Sequence, residues 1–282
     1  MKIIEDFQNT MGRLPIININ SPYNPLSPIN KRLSEYNSIV QKEIEGLRRQ
    51  EKFRKEFIAN VSHELKTPLF AAQGFVHTLL DGAAEDILVR NKFLKKAARS
   101  LDGLDNLVRD LLILSSIETR NVQMDFEYFD ILRLTKDVAG QFENKLQKKN
   151  IRIKISSSLK RQVVVFGDWQ RIRQVLNNLI SNAITYSNEG GFIEITIKKQ
   201  EKTALLSVRD SGIGIPERDL ERIFERFYRV DKSRSRDSGG TGLGLAIVKH
   251  IMECHNQKIN VKSNLNSGTI FSFHLPLKEE DF

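Results

Sequence analysis

The stretch FIANVSHELKTPLF, residues 57–70, decides how the N-terminal half of the chain folds. It lies inside a helical pattern running from about Lys31 to Leu80. Leu33, Val40, Leu47, Val61 and Pro68 fall at multiples of seven, and Ile44, Ile58, Leu65 and Ala72 take the companion position. Such a heptad seam is the packing edge of a helix that lies against other helices, here interrupted at Glu51 and Arg54. Pro68 removes one backbone N–H and predicts a kink just past His63. Within the stretch, a histidine (His63) stands beside a carboxylate (Glu64).

Working outward, Asp81–Asp86 breaks the pattern and reads as a loop. A second helix is predicted over 87–118. Its apolar residues form two rows, Leu94–Leu101–Val108–Ser115 and Ala97 (or Ala98)–Leu104–Leu111. Two amphipathic helices joined by a short loop make an antiparallel hairpin. One hairpin cannot enclose both stripes, so two hairpins forming a four-helix bundle, and hence a homodimer, are expected. Upstream, residues 1–30 carry Pro15, Pro22, Pro25 and Pro28 and read as a poorly ordered lead-in.

Beyond residue 120 the texture changes. Runs rich in β-branched or alternating residues at 151–156, 162–166, 192–198, 203–209 and 269–275 predict strands. Helical patterns fall between them at 131–148, 168–186, 217–227 and 241–255. Interleaved strands and helices predict an α/β sandwich, with one mixed sheet and helices on one face. The expected division is lead-in 1–30, signalling helix and hairpin 31–119, and a second domain 120–282, hinged at Arg120–Asp130. A chain of 282 residues accommodates about two such domains.

Composition narrows the classes. Charged content of 28% and hydrophobic content of 40% suit a globular protein. The net charge of +9 comes without a nucleic-acid reader motif, so no nucleic-acid partner is expected. The single cysteine, Cys254, excludes an intrachain disulfide and a cysteine-based zinc site. No run of about 18 apolar residues exists, and no signal-peptide pattern opens the chain. The expected compartment is the cytoplasm, either for the whole protein or as the cytoplasmic portion of a membrane-bound sensor.

Three elements of the second domain are candidates for nucleotide chemistry. Asn178 and Asn182, four apart, share one helix face, and an amide oxygen is a ligand suited to Mg²⁺. Taken alone they also fit a solvated face. Asp210-Ser211-Gly212-Ile213-Gly214 follows an apolar strand. A carboxylate there can accept from an exocyclic amine, and the glycines allow close approach to a flat ring. Gly239-Gly240-Thr241-Gly242-Leu243-Gly244 opens a helical pattern, offering free N–H groups and a helix N-terminus to phosphate. It lacks the Gly-Lys-Ser/Thr ending of a P-loop. The cationic stretch 231–244 reads as a lid that orders on nucleotide binding.

Together these elements resemble the histidine-kinase branch of the ATPase superfamily that includes gyrase, Hsp90 and MutL, across about residues 53–277. His63–Pro68 looks like that family's H box, Asn178–Tyr186 its N box, Asp210–Gly214 its G1 box, Phe224–Tyr228 its F box and Gly240–Gly244 its G2 box. The wording of 227–250 is most similar to phosphate-sensing, PhoR-type sensor kinases.

The resemblance implies ATP and Mg²⁺ as cofactors and autophosphorylation of His63. Phosphotransfer to an aspartate of a response regulator receiver domain follows. By the same resemblance Glu64 orients the imidazole and acts as general base, and Thr67 positions water for dephosphorylating the regulator. Asn182 and Asn178 hold Mg²⁺, and Asp210 reads adenine beside Tyr186, Gly212 and Gly214. Gly240, Thr241, Gly242, Leu243 and Gly244 cradle phosphates with Arg226. One departure is Thr185, where many members carry a lysine; Arg226, Arg229 and Lys232 are candidates to compensate. His77, His250, His255 and His274 are expected in surface or packing roles. Two other readings remain open: an ATPase machine without phosphohistidine, and a nucleotide-dependent scaffold.

Overall fold

A computed structural model describes residues 27–118, 124–158, 162–230 and 240–278. The expectations for residues 1–26, for the start of the hinge at 119–123 and for the 231–239 part of the lid lie outside the described residues. The chain divides into two compact units, residues up to Ile58 and residues from Ala59 to Phe282.

Helix α1 spans Ser27–Thr78 and contains Pro68 without ending there. As an imino acid, Pro68 cannot donate to the Glu64 carbonyl, and the Thr67 hydroxyl instead donates back to the His63 carbonyl at 3.1 Å. After α1 a π-turn, Leu79–Ala83, reverses the chain through Gly82 at φ 106°. Helix α2, Ile87–Glu118, has the predicted bounds, and Asp86 Oδ1 accepts from the N–H groups of Leu88 and Val89 at its start.

Ala72 of α1, Leu79 of the π-turn and Ala97, Leu107 and Leu114 of α2 are buried. Phe75 and Phe93 pack with centroids 5.7 Å apart. Of the two rows foreseen on α2, the one through Ala97 turns inward. Leu94, Leu101 and Val108 remain exposed, as do Leu69 and Val76 of α1.

In the second domain the main sheet has five strands: β2 (Arg152–Ser157), β4 (Phe192–Gln200), β5 (Thr203–Asp210), β7 (Gly268–Pro276) and β6 (Asn260–Asn264), in the order β2-β4-β5-β7-β6. Only β2–β4 is parallel. Two short strands outside the main sheet, β1 (Glu127–Asp130) and β3 (Val164–Gly167), pair antiparallel as a separate ribbon. The run 162–166 therefore does not join the expected single sheet. It leads instead straight into helix α5 (Trp169–Tyr186), capped by Asp168, whose Oδ1 accepts from Arg171 N–H.

The predicted helix 131–148 is two helices, α3 (Ile131–Gly140) and α4 (Glu143–Lys148), split after Gly140. The predicted helix 217–227 is two 3₁₀ turns, Glu217–Asp219 and Arg222–Phe224. Glu225 there is extended and Phe227 takes φ 61°, which ends any helix. Helix α6 covers Gly244–Cys254.

Ile193, Ile195 and Ile197 of β4, Ala204, Leu206 and Val208 of β5, and Phe273 of β7 are buried, with period two. Helix α5 contributes Ile172, Val175, Leu176, Leu179 and Ile180 to the core and packs on α3 and α6. Asp210 keeps the phase of Leu206 and Val208, so the alternation that makes the core also places its carboxylate on the buried side.

His255 closes α6 and is buried. Its Nε2 accepts from Asp168 N–H at 3.0 Å and its Nδ1 lies 2.8 Å from the Ile251 carbonyl, so the neutral ring satisfies both. Burial pushes its pKa below the ordinary 6.5. Because folding lowers this pKa, the contribution is complete above about pH 6.5 and is lost as pH falls through the folded value. Thermal unfolding midpoints are expected to drop between pH 7.5 and 5, and the His255→Gln variant to lose that part of the slope. The other histidines are unremarkable: His274 Nδ1 lies 3.1 Å from Thr203 Oγ1, and His250 pairs with Glu253.

Candidate functional site

A cavity of about 430 Å³ opens between α5, the end of β5 and the 3₁₀ turns, with Asn182, Tyr186, Ser187, Asp210, Gly214 and Arg229 among its walls. Asp210 is 6% exposed. Its Oδ1 accepts the N–H groups of Gly212 at 2.8 Å and Thr269 at 3.2 Å. These two bonds fix the carboxylate and leave Oδ2 for a ligand. Burial still pushes its pKa above the ordinary range, with the two amides opposing. The glycines are required by space. A Cβ on Gly212 would stand 2.5 Å from the Tyr186 carbonyl, and one on Gly214, at φ +70°, would stand 2.0 Å from that of Asn264. Ser187 Oγ, on the same wall, is buried and has no hydrogen-bond partner among the described residues.

A second cavity of about 380 Å³ shares Asn182, Tyr186 and Arg229 with the first. It extends to Asn178, to Gly240, Thr241, Gly242 and Gly244, and to Asn106 and Asp110 of α2. Asn178 and Asn182 do lie together, one turn apart. Asn178 Nδ2 donates to the Gly244 carbonyl at 3.3 Å, tying the N-terminus of α6 to α5. Leu243 is buried, and its N–H donates to Thr241 Oγ1 at 3.2 Å. Gly242 takes φ +73°, and its carbonyl accepts from Phe227 N–H. Thus the G1, N and G2 elements, up to 66 residues apart, converge on one cleft.

His63 is exposed, 65% for its side chain, and lines neither cavity. Its Nδ1 lies 3.4 Å from Glu64 Oε1. Glu64 Oε2 accepts from Arg229 Nη2 at 3.3 Å, and the same nitrogen reaches the Gly240 carbonyl. Arg226 is half-buried and outside both cavities, whereas Arg229 lines both.

Three contributors were missed from sequence. Lys149 donates to the carbonyls of Ile184, Thr185 and Ser187 at 2.7, 3.0 and 3.5 Å, closing the C-terminus of α5 at the larger cavity. Tyr228 lines both cavities and donates to Asp219 Oδ1 at 2.7 Å. Asp110 accepts from Thr241 Oγ1 at 2.8 Å. Lys149 and Asp110 sit in no local motif and are brought in by contacts with distant parts of the chain, whereas Tyr228 ends the Phe224–Tyr228 stretch and reaches back nine residues to Asp219.

An exposed histidine beside a carboxylate on a helical hairpin, followed by an α/β sandwich with an Asp-, Asn- and Gly-lined cleft, defines a class: a phosphoacceptor hairpin joined to an ATPase-type sandwich. Residues 53–120 match the family described as His Kinase A (phospho-acceptor) domain. Residues 167–279 match that described as Histidine kinase-, DNA gyrase B-, and HSP90-like ATPase.

The chain is 40% identical over 259 residues to the sensor histidine kinase WalK of Bacillus subtilis, covering 86% of this chain and 42% of WalK. It is 34% identical over 259 residues to the phosphate regulon sensor protein PhoR of Pseudomonas aeruginosa, covering 88% of this chain and 58% of PhoR. The solved structure of histidine kinase ThkA in complex with response regulator protein TrrA superposes with a TM-score of 0.65 at 28% identity, covering 92% of this chain and 70% of that one. The chain thus matches a phosphoacceptor domain and a histidine-kinase-like ATPase domain in one polypeptide, and its relatives include sensor histidine kinases. It spans about half the length of the curated relatives it matches. No described helix is long and apolar enough to cross a membrane.

Proposed function

We propose that this chain is the catalytic portion of an ATP-dependent protein-histidine kinase that works in two-component signalling. The observation that carries the reading is the single cleft in which Asp210, Asn182 and the 240–244 loop meet. The buried Ser187 hydroxyl and the free edge of Asp210 suit a purine, and the glycine loop at the head of α6 suits polyphosphate. Asn182, with Asn178 Oδ1, would hold Mg²⁺, which when bound neutralises charge on the phosphates.

The chemistry then rests on the chain's own groups. Glu64 Oε1 faces Nδ1 of His63 and accepts its proton, which leaves Nε2 as the attacking nitrogen. Nε2 forms the N–P bond as the β–γ bridging P–O bond of ATP breaks and ADP departs. The phosphoryl group then passes to an aspartate of a response regulator. Residues 31–119 serve as signalling helix and dimerisation hairpin, and 120–282 as the ATP-binding domain that swings to His63. The exposed row Leu94–Leu101–Val108, with Leu69 and Val76, suits burial in a homodimeric four-helix bundle. The expected setting is the cytoplasm, alone or as the inner part of a membrane-bound sensor.

The test is incubation with Mg²⁺ and [γ-³²P]ATP. Acid-labile, alkali-stable label on the protein, passed on to a receiver domain, is expected. Steady ATP turnover with no label would replace this reading with an ATPase of the gyrase or Hsp90 kind. Thr67 lies one turn past His63, exposed on the same helix. The Thr67→Ala variant is expected to keep its label but lose most dephosphorylation of the phosphorylated regulator, about tenfold or more if Thr67 positions the attacking water. Regulator lifetime measured with unlabelled kinase and ADP checks this.

A further inference from the structure

The smaller cavity lies against helix α2, and two donors beside the glycine loop are already engaged there. Thr241 Oγ1 donates to Asp110 Oδ2 at 2.8 Å, and Arg229 Nη2 donates to Glu64 Oε2 at 3.3 Å. Both acceptors are carboxylates, and both come from the helical hairpin: Glu64 from α1, Asp110 from α2. To a hydroxyl or a guanidinium, a carboxylate and a terminal phosphate oxygen offer the same chemistry, an anionic acceptor with no proton of its own.

These are not solvated rim contacts. The Arg229 side chain is 12% exposed, and Asp110 is buried enough that its carboxyl pKa is pushed up. Thr241 is oriented as well, because its oxygen already accepts the Leu243 N–H. A hydroxyl has one proton to donate, so Thr241 cannot serve Asp110 and a phosphate oxygen at once. Arg229 has further N–H groups, so the Asp110 contact is the exclusive one.

We propose, resting on the reading of this cleft as a triphosphate site, that Asp110 is an internal occupant of the phosphate lobe. Its carboxylate sits on Thr241 where a phosphate oxygen of the nucleotide belongs, with Glu64 on Arg229 as the second stand-in. Polyphosphate displaces Asp110, and the hairpin loses one of its holds on the glycine loop. Drawing Arg229 to phosphate at the same step returns Glu64 Oε2 to the service of His63. Nucleotide binding and readiness of the phosphoacceptor are thereby one event.

The experiment is calorimetric titration of the full chain with Mg²⁺ and the non-hydrolysable triphosphate AMPPNP, and separately with adenosine. Wild type, Asp110→Ala, Thr241→Val and the double variant are compared. Asp110→Ala is expected to bind AMPPNP more tightly by roughly tenfold or more, the scale of one charge-assisted hydrogen bond, and adenosine unchanged. In the Thr241→Val background the same substitution is expected to add nothing. Unchanged or weaker AMPPNP binding by Asp110→Ala overturns the proposal, and weaker binding would make Asp110 a ligand-side residue. A gain that persists without the Thr241 hydroxyl also overturns it, as a bulk charge effect. Failure of wild type to bind AMPPNP removes the triphosphate reading itself, a result separate from the other two.

Discussion

The His63→Gln variant is expected to carry no acid-labile phosphate after incubation with [γ-³²P]ATP, while binding nucleotide as wild type does. The loss should be complete because no second histidine of the hairpin stands beside a carboxylate: His77 lies on the same helix without one in sequence, His250 belongs to α6 of the sandwich, and His255 is buried with both ring nitrogens engaged. The His63 side chain is mostly exposed and lines neither cavity, so its replacement removes the nucleophile and leaves the fold and the cleft intact. Glutamine keeps polarity and helix propensity but offers no nucleophilic nitrogen. Unchanged label would move the phosphoacceptor elsewhere. Loss of nucleotide binding together with label would mean that the variant had damaged the sandwich, and circular dichroism would separate that outcome.

Asp210→Asn is expected to weaken nucleotide binding by about a hundredfold, with little change in thermal stability. The reason lies in how the two carboxylate oxygens are divided. Oδ1 accepts from Gly212 and Thr269 N–H, and an asparagine oxygen can take over both bonds. Asp210 lines the cavity, and in asparagine its other oxygen becomes an NH₂ donor. Against an exocyclic amine, which also donates, that places two donors face to face in a buried site. A large loss of stability would show that the variant had broken the Gly212 turn and not the recognition. Equal affinity would remove Asp210 from purine recognition.

Much of this was legible because it is local. A period of seven announces helix packing whatever lies beyond it, and the bounds of α2 matched its apolar pattern to the residue. Alternation likewise revealed β4, β5 and β7, each carrying buried residues at every second position. Strands β1 and β6 left no such trace. The first is four residues long with none buried, and the second, NVKSN, has polar residues on both faces. The region 217–227 misled for a related reason. Leu220, Ile223 and Phe227 are spaced as on a helix, but Phe227 is held at positive φ by its N–H bond to the Gly242 carbonyl.

The site divides in the same way. Asp210-Ser211-Gly212-Ile213-Gly214 and the 240–244 loop carry their meaning in residue type and spacing, because turns and helix starts are made by neighbours. Lys149, Arg229 and Asp110 carry none locally. Lys149 works through carbonyls 35 to 38 residues away, Arg229 through a carboxylate 165 away, and Asp110 through a hydroxyl 131 away.

The sequence by itself determined the parts: the hairpin, the sandwich, the histidine with its carboxylate and the three nucleotide elements. Each depends on backbone preference and apolar period over a few residues. Only the tertiary structure decided that α2 reaches the glycine loop, that Arg229 joins Glu64 to that loop and that one apolar row of the hairpin stays outside. Those outcomes depend on which surfaces meet when the sheet and helices pack, a matter of long-range burial and charge pairing that no local spacing encodes.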